Sequence, residues 1–514
     1  MERSRGRVRW LALAMAVLGV ATLVRLWRLD ATAIWVDEMS RVLWAKGREP
    51  AAVWGAGAAD TAIRQPPRSL ASAVRVTLAH NPPLNGAVLN VWMRATGSDS
   101  DWTLRLPSAI FGVLTVAAML LAGTALAGPA AGLWTAVLVA VSPFHVYYSQ
   151  EVNHYTLATS WLALSFVFYF HLLRRPTSMA SLGLAVSGVA AVYTHYHCGV
   201  VLLAQALGAL AFHGRNWRAL PPFALAYGLV GLALVPYLPT FVRQLPELTA
   251  VSIMGPFGGL GMLSSGMRMM TLWPWLGDAH TRAPTWLCIA APTAAAWLVV
   301  AGLRALPSRW RAAMVTVIGV PPVTAVLLFL ASGKNSFLWP RYQIFLTLAV
   351  LLAMGVGLAA RAGRASALAD GAAVVVLVVA GSFAFWHYHT TFSRGDWGRA
   401  AAAIGRSPTD EPVLVFPWNL TDAMARYVTT PHPLYSIRPQ LPLPEAALEA
   451  AVAGRSGVWL ALTWSEGQPA AAALQRFLDQ RFERAEPATV SPGLDQLTLV
   501  QYRRAQAPDA RASP

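Results

Sequence analysis

Acidic, imidazole and basic side chains recur where the apolar runs of this sequence end. Asp37 and Glu38, in IWVDE, follow a run long enough to cross a bilayer, and Glu151 lies in YYSQEVNHY. Carboxylates, imidazoles and cations from distant segments that meet at one interface are typical of a site for a membrane-embedded substrate. Besides these three acids, the candidate site residues are His80, His154, His195, His197, Lys334, Arg341 and Tyr342.

The composition is that of a protein with many membrane spans. Of the 514 residues, 56% are hydrophobic and only 12% are charged, whereas soluble domains carry about 25% charged residues. The net charge of +16 does not indicate nucleic acid, because the arginines form short clusters between apolar runs, as the positive-inside rule predicts. The two cysteines, Cys198 and Cys288, lack metal-ligand spacing and are expected to be buried free thiols.

Several apolar runs approach or reach the roughly 20 residues needed to cross a bilayer. They predict a polytopic α-helical membrane protein of about 11 spans, and residues 387–514 contain no further span. The predicted membrane helices are 8–29, 105–127, 131–147, 154–173, 179–197, 199–213, 219–242, 284–304, 312–332, 342–361 and 366–386.

Segment 81–97 is fairly apolar but short, and it carries Asn85 and Asn90. If this segment does not cross, the arginines of the short loops collect on the side of the N-terminus; if it crossed, the last nine would move to the other side. The charge bias therefore predicts a helix that lies at the outer interface. The arginines concerned are Arg3, Arg5, Arg7, Arg9, Arg174, Arg175, Arg215, Arg218, Arg304, Arg309, Arg311, Arg361 and Arg364.

The resulting topology has a cytoplasmic N-terminus and puts every candidate site residue at the outer face. A membrane domain is predicted over 1–386, with a first outer loop at about 30–104, and a small extracytoplasmic α/β domain over 387–504. Residues 505–514 are expected to be disordered. Strands of the outer domain are predicted in 412–419, 457–464 and 494–504, with helices between them. Further outer loops are predicted at 148–153, 243–283 and 333–341.

Each candidate also has a structural explanation. Asp37 can cap the helix that follows it, since a carboxylate suits the positive helix end, and capping is compatible with catalysis because a hydrogen-bonded carboxylate stays ionised. Glu151 can be an ordinary interfacial acid. His195 and His197 can belong to an aromatic girdle, and Lys334 and Arg341 can extend to lipid headgroups.

The order of these elements resembles the GT-C superfamily of integral-membrane glycosyltransferases, which includes protein O-mannosyltransferases and lipid A aminoarabinose transferases. The resemblance covers about 25–345, and GDWGRAAAAI (395–404) is also similar. The pieces that carry it are RLWRLDATAIWVDE (25–38), HNPPLNGAVLNVW (80–92), RLPSAIFGVLTV (105–116), SPFHVYYSQEVNHYTL (142–157), THYH (194–197) and FLWPRYQIF (337–345).

Two positions depart from the pattern of that superfamily. Many relatives have HPPL where this chain has His80-Asn81-Pro82, and many have an arginine soon after the acid of the second outer loop. Here Glu151 is followed by Val152, Asn153 and His154. The second departure weakens the expectation that donor phosphate is bound near Glu151, unless His154 replaces the arginine.

The resemblance implies a sugar donor carried on a polyprenyl phosphate and an acceptor that is a lipid, a glycan or a protein. It implies that Asp37 is the general base, and that Glu151 orients the acceptor or sugar or binds a metal; Glu38 is the third candidate acid. Arg341, Lys334 and His154 would bind the donor phosphate, with Arg341 the better bidentate ligand. His80, His195, His197 and Tyr342 are candidate substrate contacts.

The same resemblance implies that Asp37, Glu151 and Arg341 are neighbours under one outer pocket, with the prenyl tail among membrane lipid. Some GT-C enzymes use a divalent cation, and no spacing here requires one. A transporter or flippase is the main alternative from another class, but no inverted repeat is visible. An O-antigen-type ligase would need a large late outer loop, and Asp37 argues against an inactive relative.

Overall fold

The computed structural model of the chain describes residues 2–49, 63–214, 216–243, 259–332, 338–361, 367–390, 396–408, 410–463, 465, 467–485, 488–491 and 497–504. Lys334 and the predicted tail 505–514 lie outside the described residues. Two compact units make up the chain. Unit 1 comprises Met1–Leu29, Leu78–Val88 and Trp102–His389, and unit 2 comprises Asp30–Thr77, Leu89–Asp101 and Thr390–Pro514.

Helices form most of the described chain. In chain order they are α1 (Glu2–Leu26), α2 (Val36–Ala45), α3 (Leu70–His80), α4 (Leu84–Thr96), α5 (Asp101–Ala127), α6 (Pro129–Ala140), α7 (Pro143–Ser149), α8 (Tyr155–Arg174), α9 (Ser178–Val192), α10 (Cys198–His213), α11 (Pro221–Leu234), α12 (Gly259–Leu276), α13 (Thr285–Ala305), α14 (Ser308–Ser332), α15 (Pro340–Arg361), α16 (Ala367–Thr390), α17 (Trp397–Ile404), α18 (Thr421–Tyr427), α19 (Glu445–Val452) and α20 (Pro469–Asp479).

The predicted polytopic helical membrane fold is confirmed. Within the described residues eight helices are long and apolar enough to cross a membrane, or nine if the bent pair α6–α7 forms one span. Each of the eleven predicted spans corresponds to a helix, but α9 and α10 are shorter apolar helices that do not reach that length. Helix α12 lies in the predicted outer loop 243–283 and was not predicted.

Helix α4 covers most of the segment predicted to lie at the interface. It has 13 residues, which gives a length of about 20 Å and is too short for a bilayer core of about 30 Å. Arg94 falls in its last turn.

Close packing between small residues holds the core of unit 1 together. A Cβ atom at Gly302 of α13 would lie 1.8 Å from the carbonyl oxygen of Ala353 in α15. Only glycine therefore permits this approach, as expected between membrane helices, where small residues let two backbones come together. Helices α1 and α16 leave large side chains such as Leu23 and Leu368 exposed, in keeping with lipid contact.

The bend between α6 and α7 has a cause that can be read in the sequence. The two helices meet at 60°, and Pro143 has no N–H to donate to the carbonyl of Val139. The guanidinium of Arg25 replaces that donor, with Nη2 3.1 Å from Val139 O and Nη1 3.0 Å from Ala140 O. Its Nε also donates to Ser149 Oγ at 3.2 Å, so a fully buried arginine in α1 stabilises the break.

Three helices of unit 1 run between two chemically different ends. Helices α8, α10 and α15 begin close after Glu151, His197 and Trp339. The C-terminal ends of these three helices, together with the C-terminal ends of α5 and α13, surround a cavity of about 770 Å³. Its lining includes Arg174, Arg175 and Trp310. The guanidinium of Arg174 caps the carbonyl of Leu126 at 3.1 Å. The clustered arginines and the candidate acid Glu151 therefore lie at opposite ends of the same helices.

Unit 2 contains the predicted α/β fold. Its strands are β1 (Val413–Phe416), β2 (Leu434–Ser436), β3 (Gly457–Leu462), β4 (Glu483–Arg484), β5 (Ala488–Ser491) and β6 (Leu497–Arg503). The sheet order is β2-β1-β3-β6-β4, with β5 also paired to β6. Strands β1, β2 and β3 are parallel, and β6 is antiparallel to β3.

The three strands predicted from the sequence correspond to β1, β3 and β6. All of β1 and β3 is buried, which explains why continuous apolar runs marked them. Strands β2, β4 and β5 were not predicted; each has two to four residues, too few for a period to be visible.

Candidate active site

The segment that leads into the turn with Glu151 is anchored to two other helices, α1 and α15. The neighbouring Gln150 donates from Nε2 to three carbonyls at the end of α1, the shortest bond being 2.8 Å to Trp27 O. On the other side, Nε2 of His145 lies 2.8 Å from the hydroxyl of Thr347 in α15. Both bonds join α7 to other helices of unit 1, so the short α7–α8 turn is a rigid platform.

Glu151 itself is 1% exposed. Asn153 Nδ2 donates to its Oε1 at 2.9 Å, and the backbone N–H of His154 donates to Asn153 Oδ1, also at 2.9 Å. Asn153 thus orients a buried acid at the start of α8.

Histidine and tyrosine rings surround this turn. The ring centroid of His154 is 4.6 Å from that of His195 and 4.5 Å from that of Tyr155. His195 in turn lies 5.1 Å from His197 and 5.5 Å from Tyr342. His197 stacks on Tyr342, with centroids 4.7 Å apart and planes inclined by 11°. We call these five rings and Glu151 the α8 cluster.

The backbone assigns a role to one ring nitrogen in the α8 cluster. The N–H of His197 donates to His195 Nδ1 at 3.2 Å. In the neutral form of His195 the proton is therefore on Nε2. His195 and His154 are 4% and 3% exposed, so both rings are fixed in place by packing.

Arg341 begins α15 next to the α8 cluster. Its guanidinium lies 4.0 Å from the ring centroid of Trp339 and 6.0 Å from that of Tyr342. The ring of Tyr342, the next residue, stacks on His197 and lies 5.5 Å from His195, so Arg341 adjoins the α8 cluster. The structure therefore brings the predicted cation and the predicted acid to one place, although 190 positions of sequence separate them.

Asp37 and Glu38 belong to unit 2, in the first turn of α2. The helix begins at Val36 after the N-cap Trp35, so the expectation that Asp37 is the N-cap is wrong: it lies one residue inside the helix. Its carboxylate still faces the positive helix end. Glu38 is fully buried and accepts from the backbone N–H of Trp35 at 3.3 Å, which favours a capping role for Glu38.

A network of charges in unit 2 holds the ends of α2. At its C-terminal end, the buried Lys46 donates to Asp99 Oδ2 at 2.8 Å. Burial lowers the pKa of Lys46 despite the Asp99 carboxylate. Burial acts to raise the pKa of Asp99, but the hydrogen bond and charge of Lys46, with the charge of Arg426, outweigh it and lower that pKa.

The α18 side of the network pairs Arg426 with Asp101. Arg426 donates from Nη2 and Nε to Asp101 Oδ1 at 2.6 and 2.9 Å. Burial alone would lower the pKa of Arg426, but the charge and hydrogen bond of Asp101 raise it. The hydroxyl of Tyr427 donates to Asp101 Oδ2 at 2.5 Å and accepts from the backbone N–H of Ile34 at 2.7 Å. Burial and the Asp101 charge raise the pKa of Tyr427.

The α8 cluster and Arg341 account for six of the ten candidates. His80 ends α3, and the turn that follows it is held by a 3.0 Å bond from the Leu84 N–H to Tyr193 O, two residues before His195. That Asp37 lies beside Glu151 stays a prediction. Both cysteines are free, as expected, but only Cys198 is buried while Cys288 is partly exposed.

Sequence reasoning missed four members of this region: Asn153, Gln150, Tyr148 and Arg25. Three of them lie in the quoted piece SPFHVYYSQEVNHYTL, but amide and hydroxyl side chains give no periodic signal. Arg25 in an apolar run was the available signal, because a charge inside a membrane span requires a partner. Within the described ranges, no three His, Cys, Asp or Glu side chains form a group that could hold a metal ion.

Comparison with known protein families gives a match to one part of the chain. Residues 80–242, which include the α7–α8 turn and the histidines, match the family described as dolichyl-phosphate-mannose-protein mannosyltransferase. No curated protein matches the sequence.

Solved structures share the fold at low sequence identity. The archaeal oligosaccharyltransferase AglB from Archaeoglobus fulgidus, in complex with an inhibitory peptide and a dolichol-phosphate, has a TM-score of 0.54 at 10% identity, over 98% of this chain and 75% of that one. The apo form of the oligosaccharyltransferase from the same organism has a TM-score of 0.51 at 10% identity, over 97% and 75%. ArnT from Cupriavidus metallidurans in the apo state has a TM-score of 0.43 at 14% identity, over 97% and 98%.

The resemblance to the GT-C glycosyltransferases is thus confirmed by a family match within residues 80–242 and by a fold shared along almost the whole chain.

Proposed function

We propose that this protein is a multi-pass glycosyltransferase of the cytoplasmic membrane that moves one sugar from a polyprenyl-phosphate donor to a lipid, glycan or protein acceptor at the outer face. The observation that carries the proposal is that a buried acid, Glu151, and a cation, Arg341, both adjoin one cluster of histidine and tyrosine rings. The family matched by residues 80–242 takes its sugar from a dolichyl phosphate, which supports a lipid-linked donor.

The α8 cluster offers what such a donor needs. The guanidinium of Arg341 can form charge-assisted hydrogen bonds to a phosphate, and it stabilises the charge that the leaving polyprenyl phosphate gains. A void of about 30 Å³ beside His197 and Tyr342 is lined by side chains that include Val200, Val201, Ala325 and Leu328; it is too small for a prenyl chain, which would lie in the surrounding lipid. Glu151 would accept a hydrogen bond from a hydroxyl of the sugar or acceptor.

The transfer is one displacement. The acceptor hydroxyl oxygen attacks the anomeric carbon, the bond from that carbon to the phosphate oxygen breaks, and the proton passes to Asp37, which acts as general base. The phosphate leaves with both electrons of the broken bond, and the configuration at the anomeric carbon is inverted. No step requires a metal ion.

Orientation in the cell follows from charge. The arginine-lined cavity lies at the opposite end of α8, α10 and α15 from the α8 cluster. The positive-inside bias assigns the arginine end to the cytoplasm, so the α8 cluster would face outward. We also propose, from the sequence topology, that the C-terminal domain is extracytoplasmic. Charged sugar nucleotides stay inside the cell, which is the physical reason for a lipid-linked donor at this face.

Lipid-linked sugars in a strain that lacks the gene provide the test. Mass analysis of envelope glycans and lipids should show one polyprenyl-linked monosaccharide that accumulates, together with the loss of that sugar from one glycan. The wild-type gene should restore both, and Asp37→Asn should restore neither while inserting into the membrane at normal levels. Unchanged glycans would contradict the proposal and favour transport, and full restoration by Asp37→Asn would exclude Asp37 as the base.

A further inference from the structure

The outer α/β domain contributes a side chain that contacts the backbone just before the N-terminal end of α2, the helix that carries Asp37. The backbone N–H of Ile34, two residues before α2, lies outside the helical hydrogen-bond pattern and donates to Tyr427 Oη at 2.7 Å. Ile34 is fully buried, so water does not replace this acceptor easily. Tyr427 is the last residue of α18, which packs against α2 in unit 2.

The hydroxyl of Tyr427 is itself fixed by a charged pair. It donates to Asp101 Oδ2 at 2.5 Å, while the other carboxylate oxygen accepts two bonds from Arg426. Arg426 also donates to the carbonyl of Asp99. One phenol therefore joins Ile34, in the segment before α2, to Asp101 and to the end of α18, and its donor and acceptor functions are both used.

Helix α2 needs such external anchors. It has 10 residues, which is below the length at which an isolated helix is stable in water. Its far end is held separately, by Asn90 Nδ2 donating to Ala45 O at 2.8 Å and by the Lys46–Asp99 pair. At the N-terminal end, where Asp37 lies, Glu38 caps the N–H of Trp35 and Tyr427 accepts from the N–H of Ile34. Of these two anchors, Tyr427 is the one that reaches this end from another helix, α18.

We propose that Tyr427 is a positioning residue for Asp37: the α/β domain uses this phenol to set the direction in which α2 presents its first turn. The inference rests on the proposed role of Asp37 as general base. It gives the outer domain a function in catalysis without a contact to substrate. A shift of about 1 Å in a catalytic group can lower a rate by about a hundredfold, so loss of one anchoring bond can be measured in turnover.

The test compares two single-atom deletions in the full-length protein, reconstituted with a synthetic polyprenyl-phosphate sugar donor and the acceptor identified from the deletion strain. Tyr427→Phe removes the bonds to Ile34 and Asp101, and Tyr502→Phe removes another buried phenol hydroxyl of the same unit. We expect Tyr427→Phe to lower kcat about tenfold or more with the KM for donor unchanged, and to speed hydrogen exchange in residues 34–46. Tyr502→Phe should do neither.

A double-mutant cycle distinguishes positioning from general destabilisation. Asp37→Glu displaces the carboxylate, so a residue that acts only through Asp37 should lower kcat much less in that background than in the wild type. Equal losses in both backgrounds, or equal losses for Tyr427→Phe and Tyr502→Phe, would overturn the inference. If Tyr427→Phe is poorly expressed, Asp101→Asn, which keeps the phenol and weakens its anchor, should show the same pattern at smaller size.

The role of Asp37 as general base and the role of Tyr427 as its positioning residue can be disproved separately. Full activity of Asp37→Asn would remove the general base and leave Tyr427 with nothing to position. Loss of activity in Asp37→Asn together with unchanged kcat in Tyr427→Phe would leave the proposed function intact and overturn only the role of Tyr427.

Discussion

The guanidinium of Arg25 hydrogen-bonds to the carbonyl of Val139, the backbone group that Pro143 leaves without a helical donor. A charge in the first membrane helix thereby completes the hydrogen bonding of a break between α6 and α7. The break sets the direction of α7, the helix that leads into the turn with Glu151. Arg25 is thus a structural residue of the site, although it has no place in the proposed chemistry.

Replacement of Arg25 by methionine should destabilise unit 1. The side chain is about the same length, but the carbonyls of Val139 and Ala140 would lose their donor, and each buried unpaired group costs about 1–3 kcal/mol. We expect the midpoint of thermal unfolding in detergent to fall by about 5 °C or more. Arg28→Met, at an exposed arginine with one long bond to His389 O, is the control, and equal midpoints for the two variants would contradict this role.

A methyl group at position 302 should be more harmful than the same group elsewhere in the membrane unit. Gly302→Ala would place its Cβ 1.8 Å from Ala353 O and force α13 and α15 apart. Gly319→Ala lies in α14 with nothing within 4 Å of the new atom, and helix propensity favours it by about 1 kcal/mol. The midpoint temperature of thermal unfolding should therefore fall for Gly302→Ala and should stay unchanged or rise for Gly319→Ala. The reverse order would exclude the close packing of these helices.

Arg341→Gln should weaken transfer chiefly through the donor phosphate. Hydrogen bonds to charged groups contribute about 1.5–3 kcal/mol, so kcat/KM for the donor should fall roughly tenfold to a hundredfold. Arg341→Lys should recover part of this, because it keeps the charge but not the bidentate geometry. The measurement is initial rate against donor concentration in proteoliposomes. Arg399→Gln, at a largely exposed arginine of unit 2, should leave kcat/KM unchanged; an unchanged value for Arg341→Gln would remove it from the donor site.

The Lys46–Asp99 pair should make unit 2 sensitive to acid. The pKa of Asp99 is lowered in the folded chain, so its contribution to stability is complete above its unfolded pKa of about 3.9 and is lost as pH falls through the lower folded value. Lys46, whose pKa is also lowered by burial, acts at the alkaline end instead, where stability rises with pH up to about 10.

The acid limb can be isolated with Asp99→Asn. At pH 6 this variant should unfold at a lower temperature than the wild type, and the difference should shrink toward zero below about pH 3. Because half of the Asp99 side chain is exposed, the effect at pH 6 should be about 1 kcal/mol. Asp396→Asn, which keeps an N-cap acceptor beside the exposed Arg399, should show no such convergence. A constant difference for Asp99→Asn at all pH values would contradict the lowered pKa.

Sequence patterns were sufficient for the membrane helices because length and apolarity are the physical requirements for a span. They were sufficient for β1, β3 and β6, since β1 and β3 are continuous apolar runs and β6 is the longest strand of the described sheet. They also indicated Glu151 and Arg341, since charges at the ends of apolar runs are rare and need a reason. The order of family-like pieces added what no local pattern contains.

Other features depend on contacts between distant positions and have no local signature. Nothing in the run before α2 indicates that the N–H of Ile34 needs a phenol from position 427. The tautomer of His195 follows from a backbone bond within YTHYH that depends on the fold of the α9–α10 turn. Glu38 appeared equivalent to Asp37 as a second acid, but one residue of helical rotation buries it and gives it to the backbone of Trp35.

The two carbonyls at the bend that accept hydrogen bonds from Arg25 are synthesised long after Arg25 itself. The carbonyls of Val139 and Ala140 follow it by 114 and 115 positions, so a ribosome must add more than a hundred residues before they exist. During that interval the guanidinium, in the last turn of α1, has to remain hydrated at the headgroups. We therefore expect the first helix of this protein to reach its final depth only when α6 and α7 are inserted, which would couple its insertion to that of the turn that bears Glu151.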